Sequence, residues 1–111
     1  MAILDKYPID KGHSLVITKK PYEKLTDMSS QEVAELFSKI PKIANAIIKA
    51  TNADAFSIAQ NNGKAAKQII PHVHVHIIPR YSATGTLWLK RKILKDDELD
   101  ELAQKIRNCI E

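Results

Sequence analysis

Five patterned stretches run along this chain, and each predicts an element. In His13-Ser14-Leu15-Val16-Ile17-Thr18 an apolar, β-branched run follows the turn-like Asp10-Lys11-Gly12 and stops at Lys20-Pro21, the pattern of a strand. Ser29 with Glu32 three residues later forms a capping box, in which each side chain satisfies an amide left unpaired at a helix start. Beyond it Val33, Leu36, Phe37, Ile40, Ile43, Ala44, Ile47 and Ile48 recur at spacings of three and four, one apolar helix face reaching Thr51. Pro41 sits inside that pattern. It has no N–H for the carbonyl of Phe37, so a kink or break is expected there.

Ala55 to Asn61 reads as a second strand, and Asn62-Gly63-Lys64 as the start of a loop. Residues 68–78 alternate with period two and predict a longer third strand, closed by Pro79. Gly85 precedes a short apolar segment, Leu87-Trp88-Leu89, that fits no single element type. The tail is helical from Asp96: Leu99, Leu102, Ile106 and Ile110 share a face, and Asp96, Asp97 and Glu98 suit the positive end of the helix dipole. Helices segregated from hairpin-joined strands predict an α+β fold, with an antiparallel sheet, one long kinked helix and a C-terminal helix.

Composition narrows the class. A chain of 111 residues suits one domain, 1–111, with one core. No apolar run approaches the ~18 residues of a membrane span, and the first eight residues lack a signal pattern, so no membrane partner is expected. Cys109, the single cysteine, excludes an intramolecular disulfide and a cysteine-based zinc site, and a cytoplasmic compartment is the expectation. The formal charge of +4 is spread along the chain. Its dense cluster, Lys90-Arg91-Lys92, carries no interleaved aromatics, and Asp96, Asp97 and Glu98 follow soon after. That favours a solvated surface that attracts small anions over a nucleic-acid groove, so no specific nucleic acid is expected.

The chemistry lies in the histidines, of which the chain has four. His72, His74 and His76 alternate with Val73, Val75 and Ile77. On a strand, side chains two apart share a face roughly 6.6–6.8 Å from one another, so one face is apolar and the other presents imidazoles. Neutral imidazole is both a common metal ligand and a nucleophile that hydrogen-bonding neighbours can assist. The strand has no carboxylate to orient a metal-binding histidine, yet spacing alone leaves metal site and nucleophile about even.

The surrounding residues resemble the histidine-triad (HIT) superfamily of nucleotide hydrolases and transferases. His72-Val73-His74-Val75-His76-Ile77-Ile78 meets its His-φ-His-φ-His-φ-φ signature, where φ is apolar. Asp5 through Ile17 is similar to the family's Asp-φ-x-Pro…Gly-His-x-φ-φ-φ segment, and Asn61-Asn62-Gly63 and Gln68 fall where the family keeps its phosphate-side residues. The resemblance implies a metal-independent, cofactor-free hydrolase of nucleotide phosphoanhydride or phosphoramidate bonds that forms a covalent nucleotidyl-histidine intermediate. His74 would be the nucleophile, flanked by His72 and His76, with His76 contacting the phosphate or the leaving-group oxygen. His13 would complete the network that fixes tautomers. Asp5 would bind ribose hydroxyls, Asn61 and Gln68 the α-phosphate, and Ile3, Leu4 and Lys6 would line the nucleoside pocket. A small-molecule nucleotide and a second copy, forming a homodimer, are the implied partners. A nucleotide-binding module with little turnover, or a metal-binding protein using His72, His74 and His76, are the alternatives.

Three departures accompany the resemblance. Lys67 stands where many members have glycine, and Ile69 where the phosphoramidase branch often has Ser or Thr. The chain also starts short, almost on the Asp5 segment, without the usual N-terminal helix and strand pair. The paired cysteines of zinc-containing relatives lie in that stretch, so no structural zinc is implied.

Overall fold

A computed structural model describes residues 1–82 and 95–110. Leu87-Trp88-Leu89 and the Lys90-Arg91-Lys92 cluster lie outside the described residues. Four strands, β1 (Ala2–Leu4), β2 (Ser14–Ile17), β3 (Ala55–Ala59) and β4 (His74–Arg80), form an antiparallel sheet in the order β1-β2-β4-β3. The helices are α1 (Ser30–Ser38), α2 (Ile40–Thr51) and α3 (Asp96–Cys109). No helix among the described residues is long and apolar enough to cross a membrane.

The capping box opens α1 as expected: the Glu32 amide donates to Ser29 Oγ at 3.1 Å, and the Ser29 amide to Glu32 Oε1 at 3.0 Å. The long apolar face is carried by two helices that meet at Lys39, so Pro41 marks a break. It falls in the first turn of α2, where an N–H would have no partner inside the helix. Val16, Val73, Val75 and Ile77 of the sheet side pack with Leu36, Ile40, Ala44, Ile47, Ala50, Leu102 and Ile106 of the three helices into one core.

The histidine strand has other limits than the alternation predicts. β4 begins at His74, so Gln68 to Val73 are loop, and it continues through Pro79 to Arg80. Pro79 is tolerated for a reason of register. The amides of β4 at 75 and 77 face β2, but that ladder ends at the Ser14–Ile77 pair, and the missing N–H of Pro79 costs no ladder bond. On its other side Pro79 still pairs with Phe56 of β3. β1 was not expected at all. Three residues are too short for a periodic signal, and the strand is held by β2, with the Ile17 amide donating to the Met1 carbonyl at 2.8 Å.

Candidate active site

Cross-strand pairing sorts the candidate residues by face. Ile3 pairs with Leu15, Leu15 with His76, and Ile17 with His74, so these five side chains share the sheet face opposite the helices. His74 and His76 are half-buried there, with ring centroids 4.9 Å apart. Leu4 falls on the other face, opposite Ser14, and packs against the core. Its expected place beside the nucleoside is therefore not where the alternation puts it. Lys6 is exposed and 4.0 Å from Asp96, a surface pair of small energetic worth.

His13 reaches the site from a turn. The His13 amide donates to the Asp10 carbonyl at 3.0 Å, and Gly12 has φ +91°. Glycine is required there, since an added Cβ would stand 2.8 Å from Thr51 Cγ2 and 3.1 Å from Pro79 Cγ. The ring that follows is fully buried.

Backbone groups fix the proton on His13, His72 and His74, and His13 in turn fixes it on His76. The Ile9 amide donates to His13 Nδ1 at 3.0 Å, so neutral His13 carries its hydrogen on Nε2. That nitrogen lies 2.9 Å from His76 Nδ1, which accepts, and the His76 hydrogen is left on Nε2. His74 Nδ1 is 2.7 Å from the His72 carbonyl and must be the donor, leaving Nε2 with a lone pair. His72 Nε2 is 2.7 Å from the Thr18 carbonyl and 3.0 Å from Thr18 Oγ1. The hydroxyl gives its own hydrogen to the Lys20 carbonyl at 2.8 Å, so His72 donates to both oxygens. The arrangement is one histidine with a free basic nitrogen beside a second that presents an N–H. His72 contributes its carbonyl, while its ring is tied to Thr18 outside the strand.

The same assignment decides how the cluster treats a metal. Asp5, His13 and His76 each offer a ligand atom, and these lie within 4.8 Å of one another, close enough to hold an ion. A metal needs lone pairs on both nitrogens, and the Ile9 amide puts the proton on His13 Nε2. Among the described residues, His72, His74 and His76 do not come together as such a set. These residues fit a proton-ordered network, not a metal.

The phosphate-side residues divide. Asn61 is half-buried just past β3, and extending the Ala59–His76 register by two residues sets it opposite His74. Gln68 is buried, with Oε1 accepting from the Gly63 amide and Nε2 donating to the Glu23 carbonyl, both at 2.6 Å. It clasps the loop, and one Nε2 hydrogen remains beyond the Glu23 bond. Lys67, in the glycine position, has φ +68° and ψ +28°. Ile69 is 84 % exposed. Asp5 Oδ1 accepts from the Tyr7 amide at 2.8 Å, the turn-forming role open to any such aspartate.

Residues that sequence reasoning missed act mostly through the main chain. The amide of Ile9 and the carbonyls of Thr18, His72 and Glu23 carry no side-chain signature. Leu15 and Ile17 were visible as strand residues, yet nothing in their identity marked them as site wall.

The profile of the HIT domain matches residues 1–83. The adenylylsulfatase HINT3 of Arabidopsis thaliana is 41 % identical over 111 residues, covering 99 % of this chain and 56 % of that protein. The chain thus spans little more than half the length of that relative. The adenosine 5'-monophosphoramidase hnt1 of Schizosaccharomyces pombe is 33 % identical, covering 99 % of this chain and 81 % of the other. A solved structure described as a hypothetical histidine triad nucleotide-binding protein from Sulfolobus tokodaii superposes with a TM-score of 0.88 at 35 % identity, over 98 % of this chain and 76 % of that one. Since the matched profile spans both the turn that delivers His13 and the strand that presents His74 and His76, this chain belongs to the HIT domain family.

Proposed function

We propose that the protein is a nucleotide hydrolase that cleaves phosphoanhydride or phosphoramidate bonds through a nucleotidyl-histidine intermediate. The observation that carries this reading is the 2.7 Å contact from His74 Nδ1 to the His72 carbonyl, which in the neutral ring puts the lone pair on Nε2. His74 Nε2 forms a bond to the α-phosphorus as the bond to the leaving group breaks. The Nδ1–H then makes the adduct ring cationic and a good leaving group. Water forms the new P–O bond as the P–Nε2 bond breaks, the proton it releases balances the one taken up by the leaving group, and His74 returns neutral. His76 directs its Nε2–H at the oxygen where charge develops.

In this reading Ile3, Leu15 and Ile17 offer the nucleoside an apolar wall, Asp5 accepts from the ribose, and Asn61 and the remaining Gln68 hydrogen donate to the phosphate. The named relatives, an adenylylsulfatase and a phosphoramidase, support a nucleotide substrate. A homodimer paired through β3 is supported by Phe56 and Ile58. They lie on the helix-packed face of the sheet, yet are 41 % and 44 % exposed. A cytoplasmic setting suits the unpaired Cys109.

The test is intact-mass measurement after brief mixing with an adenosine phosphoramidate. The expected result is a nucleotidyl adduct on the wild type and none on His74→Ala. Tight nucleotide binding with neither adduct nor turnover would overturn hydrolysis in favour of a binding module.

A further inference from the structure

The carboxylate of Asp5 faces the histidine network as well as the nucleoside side. Its Oδ1 is held by the Tyr7 amide at 2.8 Å, which aims Oδ2 at His13 Nε2, 3.6 Å away. The Asp5 side chain is only 14 % exposed and the His13 ring is fully buried, so solvent screens this pair weakly. At 3.6 Å the contact is too long for a hydrogen bond, but a fixed negative charge beside an N–H is favourable and beside a lone pair is not. His13 is therefore polarised from both ends in one sense. The Ile9 amide hydrogen faces Nδ1 and a carboxylate oxygen faces Nε2.

We propose that Asp5 is a positioning residue for catalysis, whose charge keeps the proton on His13 Nε2 and thereby on His76 Nε2. The chain of cause is short. If His13 carried its hydrogen on Nδ1, that N–H would meet the Ile9 N–H, and the bare Nε2 would meet the Asp5 carboxylate. His76 Nδ1 would then have to donate to His13 Nε2, and its Nε2 would face the substrate as a lone pair. A lone pair there repels the developing oxyanion that the N–H would stabilise. One proton shift on a buried ring thus reverses what His76 offers the phosphate, and Asp5 opposes that shift. His74, whose ring lies against His76, is fixed separately by the His72 carbonyl and is not part of this coupling.

This deepens the proposed hydrolase reading and rests on it for the catalytic part alone, because the tautomers can be read without substrate. Long-range proton–nitrogen NMR on the nucleotide-free wild type is expected to show His76 Nε2 protonated and Nδ1 bare. A His76 protonated on Nδ1 would overturn the proposal without any variant. Asp5→Asn keeps an oxygen for the Tyr7 amide but turns N–H groups toward His13 Nε2. It is expected to move the His76 nitrogen shifts toward each other and to lower kcat about tenfold, beyond any change in KM. Unchanged shifts, with losses confined to KM, would leave Asp5 as a turn and binding residue and overturn the coupling. Shifts that converge with kcat unchanged would separate the tautomer from the reaction and also overturn it. If the wild type forms no adduct and turns nothing over, the hydrolase reading fails, while the shifts still decide whether Asp5 orders the proton.

Discussion

The carbonyl oxygen of His72 lies 2.7 Å from Nδ1 of His74, so the first histidine of the triplet orders the second through its main chain. Side-chain removal and functional loss should therefore separate at these two positions. His72→Ala keeps the carbonyl and loses the ring bonds to Thr18. We expect kcat to fall about tenfold, against about a thousandfold or more for His74→Ala, in steady-state assays on a nucleoside phosphoramidate. Equal losses would mean that the His72 ring has a direct part in the reaction.

Much of this was legible in the sequence, because period-two alternation forces His74 and His76 to one face and Val75 and Ile77 to the other. The capping box at Ser29 and Glu32 and the break at Pro41 were readable for the same reason, that each rests on local chemistry. What escaped was set by partners distant in sequence. Residues 68–72 read as part of a strand but pair with no strand among the described residues. Gln68 is instead fixed by Gly63 and Glu23, and His72 by Thr18. The strand Ala2–Leu4 exists only because β2 offers it an edge. The tautomers depend on backbone groups that every residue possesses, so no residue type could signal them.

Gly12→Ala tests how His13 is delivered. The new Cβ would overlap Thr51 Cγ2 at 2.8 Å, and φ +91° is strained for any L side chain. A loss of about 2–4 kcal/mol is expected in urea denaturation, from backbone strain and overpacking together. Because His13 is the next residue, the surviving folded fraction should also lose activity. Destabilisation with unchanged kcat would show that the turn tolerates displacement without moving the ring.

The loop before the histidine strand should respond in opposite directions to two neighbouring changes. Gln68→Ala removes two partly buried hydrogen bonds, one from the Gly63 amide and one to the Glu23 carbonyl, at an expected cost of about 1–3 kcal/mol. Lys67→Gly relieves a left-handed residue that costs about 1–2 kcal/mol, offset by the greater freedom of glycine in the unfolded chain. A net gain of about 0.5 kcal/mol is expected. A loss on Lys67→Gly would show that the lysine side chain makes a stabilising interaction that outweighs the strain of its backbone.

The hydroxyl of Tyr22 donates to Glu32 Oε2, and the Tyr22 carbonyl accepts from the Val73 amide at 2.7 Å. Tyr22 thus joins the capped start of α1 to the residue just before the histidine strand. The bond to Tyr22 holds the Glu32 carboxyl below its usual range, helped by the Ser29 amide and by Lys20, and the same bond raises the Tyr22 phenol above its usual value. The signs set opposite limits. A carboxyl lowered in the folded state contributes stability above its unfolded value, and that is lost as pH falls through the folded one. A phenol raised in the folded state contributes below its unfolded value, and that is lost as pH rises through the folded one. Tyr22→Phe should therefore be less stable than the wild type at neutral pH, with the difference shrinking at both the acid and the alkaline extremes. Denaturant-unfolding free energies measured across pH for the two proteins check this. A gap that stays constant from acid to alkali would mean that packing of the ring, and not its hydrogen bond to Glu32, ties α1 to the histidine strand.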